Sequence, residues 1–281
     1  MDIKDYHKNS ALSSSKIRQM LKSSAHYDYV INHGFKTTDA MILGDAIHAF
    51  ILEPERFNNM YEEVADVYLR KTGEHEVGDP KLDADGDPII MLKDRNNTGL
   101  DIKGEQYKKF DCMREAIKNS SIIREMMLTS THTEYTIISK LMGFEVKCRP
   151  DTLSVDKGII WDVKTVGGLS EKPCENFIRD LLEFGYDVQA ALYKRLCEEH
   201  FKREFEFRFM CIDVKKDVCG IKEWKMSEEL IELGERRLKW CLNKIKEYNE
   251  TKESKVYENN SEELKADYRA LELLEKFRGE E

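Results

Sequence analysis

The sequence predicts one α/β core with a helical C-terminal appendage, and three patterns carry that reading. β-Rich segments follow one another through residues 133–166; helical periodicity flanks them, at 12–53 and 105–128 before and at 174–199 after; the end of the chain is helical and highly charged. Boundaries follow from the same patterns. Residues 1–225 form the core, with 71–104 as a long loop or insertion, and 226–281 form the charged helical extension.

In chain order, "LSSSKIRQMLKSSAHYDYVINH" (12–33) sets serines at an N-cap ahead of Ile17, Met20, Leu21, Tyr27 and Val30, which predicts a short helix or a helix pair. A continuous apolar helix follows from Asp39 to Glu53, stopped by Pro54; apolar nearly all round, it belongs in the interior. Residues 71–104 lose all periodicity, and Gly, Asp and Pro mark a loop with a short strand at 89–92. Within it "DADGDP" (83–88) resembles a calcium loop only in part, because Pro88 and Asp94 stand where glycine and glutamate are needed. A surface turn fits better. An amphipathic helix at 105–128, strands from 133, a helix at 174–199, strands at 205–214 and 218–225, and helices at 227–250 and 261–279 complete the chain. No internal repeat is present.

Composition narrows the function classes. The 281 residues carry a formal charge of −9 with 35% charged side chains, which excludes a protein that coats nucleic acid through an overall positive field. Local basic clusters at 68–71, 93–95 and 193–203 leave room for a focused channel. No apolar run reaches the length of a membrane span, and "MDIKDYHKNS" lacks a signal-peptide layout, so a cytoplasmic protein without membrane contact is expected. Seven scattered cysteines without a C-x-x-C predict reduced, packed thiols rather than a disulfide framework.

The segment "GFEVKCRPDTLSVDKGIIWDVKT" (143–165) is the most informative. Asp156-Lys157-Gly158 marks a turn of two or three residues between two β-rich runs, which sets Asp151 opposite residue 162, 163 or 164. Asp162 and Lys164 are two apart and share a strand face, while Val163 points the other way into apolar packing. Two neighbouring carboxylates repel unless a proton or a cation intervenes, and oxygen ligands suit Mg²⁺ or Mn²⁺ better than zinc. An adjacent ammonium can position an attacking water or stabilise charge on a phosphoryl oxygen. A surface Asp–Lys cross-strand pair is the bland alternative, which the apolar context on both strands disfavours.

"RPD" followed eleven positions later by "DVK" resembles the PD-(D/E)xK nuclease signature. "GDAIHAF" resembles the G-x-x-x-H helix and "QAALY" (189–193) the Q-x-x-x-Y helix of the RecB-like branch of that superfamily, in the expected order. "LSSSKIRQMLKSSAHYDY", "LGDAIHAFILEPERF" and "KCRPDTL" further resemble the phage and prophage RecE-type exonuclease, exodeoxyribonuclease VIII, over about residues 12–215.

The resemblance implies a mixed central β-sheet flanked by helices and a metal site of His48, Asp151, Asp162 and the Val163 backbone oxygen. Glu134 is a further candidate ligand on a neighbouring strand, in a register that sequence does not fix. Lys164, Asp151 and Asp162 would carry the hydrolysis; Gln189 and Tyr193, four apart on a helix, would hold the DNA backbone or orient Lys164. It further implies a Mg²⁺- or Mn²⁺-dependent 5′-to-3′ exonuclease acting on double-stranded DNA ends, a ring-shaped homo-oligomer, and a single-strand annealing partner of the RecT type, encoded by a phage or prophage and acting in the bacterial host. No iron–sulfur cluster is expected, because no cysteine precedes Cys112. The rivals are an endonuclease of the same superfamily and a catalytically silent DNA-binding or scaffold protein with the same fold.

Overall fold

The structure, a computed structural model, describes residues 3–69, 75–167, 173–215 and 218–256. The expected helix at 261–279 lies outside those residues. In order, the elements are α1 (Ile3–Lys8), β1 (Leu12–Ser13), α2 (Ser14–Ile17), a 3₁₀ turn (Arg18–Leu21), α3 (Ser24–His33), α4 (Asp39–Leu52), α5 (Pro54–Met60), β2 (Tyr61–Ala65), β3 (Ile90–Asp94), α6 (Glu105–Asn119) and α7 (Ser121–Thr129). Then come β4 (His132–Thr133), β5 (Ile137–Leu141), β6 (Phe144–Cys148), β7 (Thr152–Ser154), β8 (Ile159–Val166), α8 (Pro173–Phe184), α9 (Tyr186–Phe201), β9 (Glu206–Lys215), β10 (Val218–Lys225) and α10 (Glu228–Thr251).

The central sheet has the order β10-β9-β8-β7-β4, with β8 and β9 parallel and the other pairs antiparallel. Parallel neighbours need a long crossover, and α8 with α9 supplies it. A second sheet, β1-β6-β5, and the β2–β3 hairpin stand beside it. Alternation along β8 and β9 feeds a different apolar cluster on each face. Ile160, Phe207, Phe209 and Cys211 pack with α9 and α10 residues such as Leu192, Leu196, Leu238 and Leu242. Trp161, Val163, Met210 and Ile212 pack with Ile47 of α4, Phe110 of α6 and Met126 of α7. The sheet is thus covered on both sides, which suits a strand with an almost unbroken apolar run.

Helix boundaries follow capping chemistry. Ser23, Thr38, Ser120 and Ser227 each accept a hydrogen bond from the backbone N–H three residues on. Ser120 also divides the expected single helix at 105–128, ending α6 and capping α7. Gly185, at φ +67°, likewise divides the expected helix at 174–199. Pro54 stops α4 as expected and occupies the first turn of α5. The first turn of α4 is exposed rather than buried, while Leu43, Ala46, Ile47, Ala49, Ile51 and Leu52 are interior. The strand expected at 89–92 is β3, and its partner β2 had no legible signal. "DADGDP" is a turn closed on itself, with Asp83 accepting from the N–H groups of Asp85 and Asp87.

Cysteine pairing departs from expectation. Cys112 and Cys219, with Cα atoms 5.9 Å apart, form a disulfide between α6 and β10, while Cys148, Cys174, Cys197, Cys211 and Cys241 are free. The contact joins a helix to an edge strand 107 residues later in the chain, a proximity set by the fold and not by spacing. Among the described residues no helix is long and apolar enough to cross a membrane.

The tightest helix contact is that of α10 on α9. A Cβ added at Gly234 would lie 2.2 Å from the Asp187 carbonyl oxygen, so only glycine permits this approach. Gly234→Ala should lower the unfolding free energy by about 2–3 kcal/mol, whereas Gly220→Ala, which meets nothing within 4 Å, should change it by less than about 0.5 kcal/mol. Denaturant titration of the two variants measures the difference.

Candidate metal and phosphodiester site

The β7–β8 register pairs Thr152 with Trp161 and Ser154 with Ile159, so the loop spans four residues, 155–158, and not two or three. Gly158, at φ +66°, closes that turn by donating its N–H to the Val155 carbonyl. Continued one step, the register sets Asp151 opposite Asp162, inside the expected range. The Asp151 carboxylate crosses to β8 and accepts the Val163 N–H at 2.6 Å. Asp162 and Lys164 face the α8–α9 side, and Val163 is fully buried on the opposite face.

Helix α4 brings His48 to the same strand, where its Nε2 lies 2.9 Å from the Val163 carbonyl oxygen. A carbonyl only accepts, so Nε2 carries the hydrogen and the Nδ1 lone pair is free to bind. Nδ1 is 3.5 Å from Asp151 Oδ2. Gly44, one turn earlier on α4, lines the same cleft, where an added Cβ would meet Thr165 Oγ1 at 3.4 Å, an ordinary contact distance.

Glu134 completes the group. It follows the two-residue strand β4 with φ +51°, a left-handed conformation uncommon for a non-glycine residue. Its N–H donates to the Asp151 carbonyl at 2.9 Å, and its carboxylate accepts from Arg149 Nε at 2.5 Å. One ligand atom each from His48, Glu134 and Asp151 lie within 4.8 Å of one another. All three residues belong to the expected ligand set, Glu134 as its further candidate. Asp162 stands beside the group instead of in it, its carboxylate paired with the Lys164 ammonium and accepting from Gln189 Nε2 at 2.5 Å.

Electrostatics fit a cation. Burial, and then the neighbouring Asp151 charge, push the Glu134 carboxyl up to about 7. Burial, and then Asp162, raise the Asp151 carboxyl well above the carboxylate range. Burial lowers the His48 imidazole and so favours its neutral, ligating form. A doubly disfavoured pair of carboxylates beside a free imidazole lone pair is a donor set that fits a divalent metal ion. Lys164 is the counterpart: burial alone would lower its pKa, but Asp162 and Asp151 outweigh it and hold the ammonium above its ordinary value.

Tyr193 is buried and lines a cavity of about 310 Å³ together with Gln189 and Lys164. Lys16, Arg18, Lys147 and Arg149 line the same cavity. A wider cleft of about 610 Å³ opens over His48, Glu134, Val163 and Lys164. Three contacts escaped sequence reasoning. Arg149 holds Glu134; Arg18 donates to Gln189 Oε1 at 3.5 Å; and Tyr186 lies beneath Lys164, with Nζ 4.9 Å from its ring centre. Arg149 stands within the quoted "RPD", but nothing in the spacing identified its partner.

A mixed sheet carrying an upstream aspartate, a D-x-K strand and a glutamine helix on one face defines the PD-(D/E)xK nuclease fold. Residues 13–267 match the family described as PDDEXK-like domain of unknown function (DUF3799), and the chain belongs to it. Among solved structures it is similar to one described as "Putative exonuclease" from Eubacterium rectale, at a TM-score of 0.63 and 11% identity, covering 96% of this chain and 97% of that one. A second, "SSO0001", aligns at a TM-score of 0.25 and 18% identity over 46% of this chain and 65% of that one, too low to carry weight. No curated protein matches.

Both raised carboxyls have folded-state pKa values above their unfolded ones, so each favours folding at low pH and loses that contribution as pH rises. For Glu134 the window runs from 4.5 to about 7. His48, lowered by burial, works the other way as pH falls, but all three groups must be free of their protons to bind metal, so millimolar Mn²⁺ should raise the melting temperature more at pH 7.5 than at pH 5. Equal Mn²⁺ shifts at the two pH values would contradict this charge assignment.

Proposed function

We propose that the chain is a divalent-metal-dependent deoxyribonuclease, a 5′-to-3′ exonuclease acting on double-stranded DNA ends in recombination by strand annealing. The observation that carries the reading is the ligand group of His48, Glu134 and Asp151 set directly beside the Asp162–Lys164–Gln189 network. In this reading His48 Nδ1 and the Glu134 and Asp151 carboxylates hold Mg²⁺ or Mn²⁺, with Asp162 and the Val163 carbonyl as adjacent donors. The ion, when bound, polarises the scissile phosphate and lowers the pKa of an attacking water.

The chain's own residues do the rest. Gln189 fixes the Asp162 carboxylate by donating to Oδ1, and Asp162 holds the Lys164 ammonium over the cleft. From there Lys164 orients the water and offsets charge gathering on the phosphoryl oxygens. Lys16, Arg18 and Arg149 supply phosphate contacts in the cavity that Tyr193 lines, which reconciles DNA binding with a net charge of −9. The similar structure from Eubacterium rectale carries the description of an exonuclease and supports the choice of end-directed cleavage. A ring of several copies, cytoplasmic action and a RecT-type annealing partner complete the proposal; they rest on the resemblance of the sequence to RecE-type enzymes.

With Mg²⁺ or Mn²⁺, purified protein should digest linear duplex and spare closed circular duplex. Asp162→Ala and Lys164→Ala should each reduce the rate by about 100-fold or more. Cleavage of the closed circle identifies an endonuclease instead, and wild-type rates in either variant overturn the site assignment.

A further inference from the structure

Helix α10 reaches the site through one ion pair between a part-exposed arginine and a fully buried aspartate. Arg237 Nη1 donates to both carboxylate oxygens of Asp187, at 2.8 and 2.7 Å, and its Nη2 donates to the Leu182 carbonyl at 3.0 Å. Asp187 is fully buried in the first turn of α9, and Leu182 lies near the end of α8. One planar guanidinium thus spans the joint between α8 and α9, where Gly185 turns the chain in the left-handed region. Gly234, one turn before Arg237, lets the two helix backbones touch at Asp187.

Two residues project from that first turn of α9 into the site. Tyr186 lies under the Lys164 ammonium at 4.9 Å and is covered by the Arg18 guanidinium at 5.3 Å. Gln189 grips Asp162. Resting on the nuclease reading of Asp162 and Lys164, we infer that Arg237 is a positioning residue: by clamping the α8–α9 joint it sets Tyr186 beneath Lys164 and Gln189 against Asp162, so that α10 serves turnover and not DNA binding. Stability alone does not require an ion pair here. Apolar residues of similar volume generally replace a buried pair at no net loss, whereas three directed hydrogen bonds fix the angles among three helices.

The test uses the full chain with saturating Mn²⁺ and linear duplex. Arg237→Lys, which keeps the charge and loses the fork, should lower kcat about tenfold with KM unchanged. Asp187→Leu/Arg237→Met should match the wild-type melting temperature and show the same kcat loss. In a Tyr186→Ala/Gln189→Ala background neither change should lower kcat further, because both groups being positioned are gone. The inference is overturned if Arg237→Lys turns over at the wild-type kcat, if the loss lies in KM, or if it is equally large without Tyr186 and Gln189. Failure of the underlying reading looks different, since Lys164→Ala would then remain active whatever Arg237 does.

Discussion

The hydrogen bond from the Val163 N–H to the Asp151 carboxylate fixes the geometry on which the rest of the site depends. It ties the residue before β7 to the middle of β8 and, with the register of that hairpin, decides which way each charged side chain faces. Val163 is engaged through both its backbone polar groups: N–H to Asp151, carbonyl to His48. A backbone unit held at both ends cannot slip by one residue without reversing every side chain on β8. Asp162 and Lys164 are therefore locked onto the α9 face while α4 docks against the opposite one.

Burying so many charges at the centre of a sheet is unfavourable unless they compensate one another. The compensation is local and directional. Arg149 partners Glu134, Lys164 partners Asp162, and Gln189 satisfies the remaining Asp162 oxygen. Asp151 is left with a backbone donor and a neutral imidazole, and the Glu134 and Asp151 carboxyls are both displaced upward. The left-handed backbone at Glu134 belongs to the same pattern, in which local strain is maintained by the surrounding structure where chemistry is placed. The apolar clusters on the two faces of the sheet supply the stability that permits it.

Much of this was legible in the sequence, for reasons particular to each element. Period-two alternation alone sets Asp162 and Lys164 on one face and Val163 on the other, and turn chemistry at 156–158 brings Asp151 within one residue of its position. His48 could be placed on a helix because its segment is apolar and ends at Pro54. Other features depend on distances that no local pattern encodes. Glu134 reaches the site only through its positive φ after a two-residue strand, too short to show alternation. The breaks at Ser120 and Gly185 are marked in the sequence by a capping serine and a glycine. The Cys112–Cys219 bond and the Arg237 clamp join residues 107 and 50 positions apart, beyond any periodic signal.

The central claim is that His48, Glu134 and Asp151 together grip one divalent cation beside Lys164. Crystals grown with Mn²⁺ and measured at the manganese absorption edge test it most directly. The account predicts a single strong anomalous peak bounded by His48 Nδ1 and the carboxylates of Glu134 and Asp151, lost in Asp151→Asn. A peak elsewhere on the chain, or none at this position in fully loaded crystals, would contradict it.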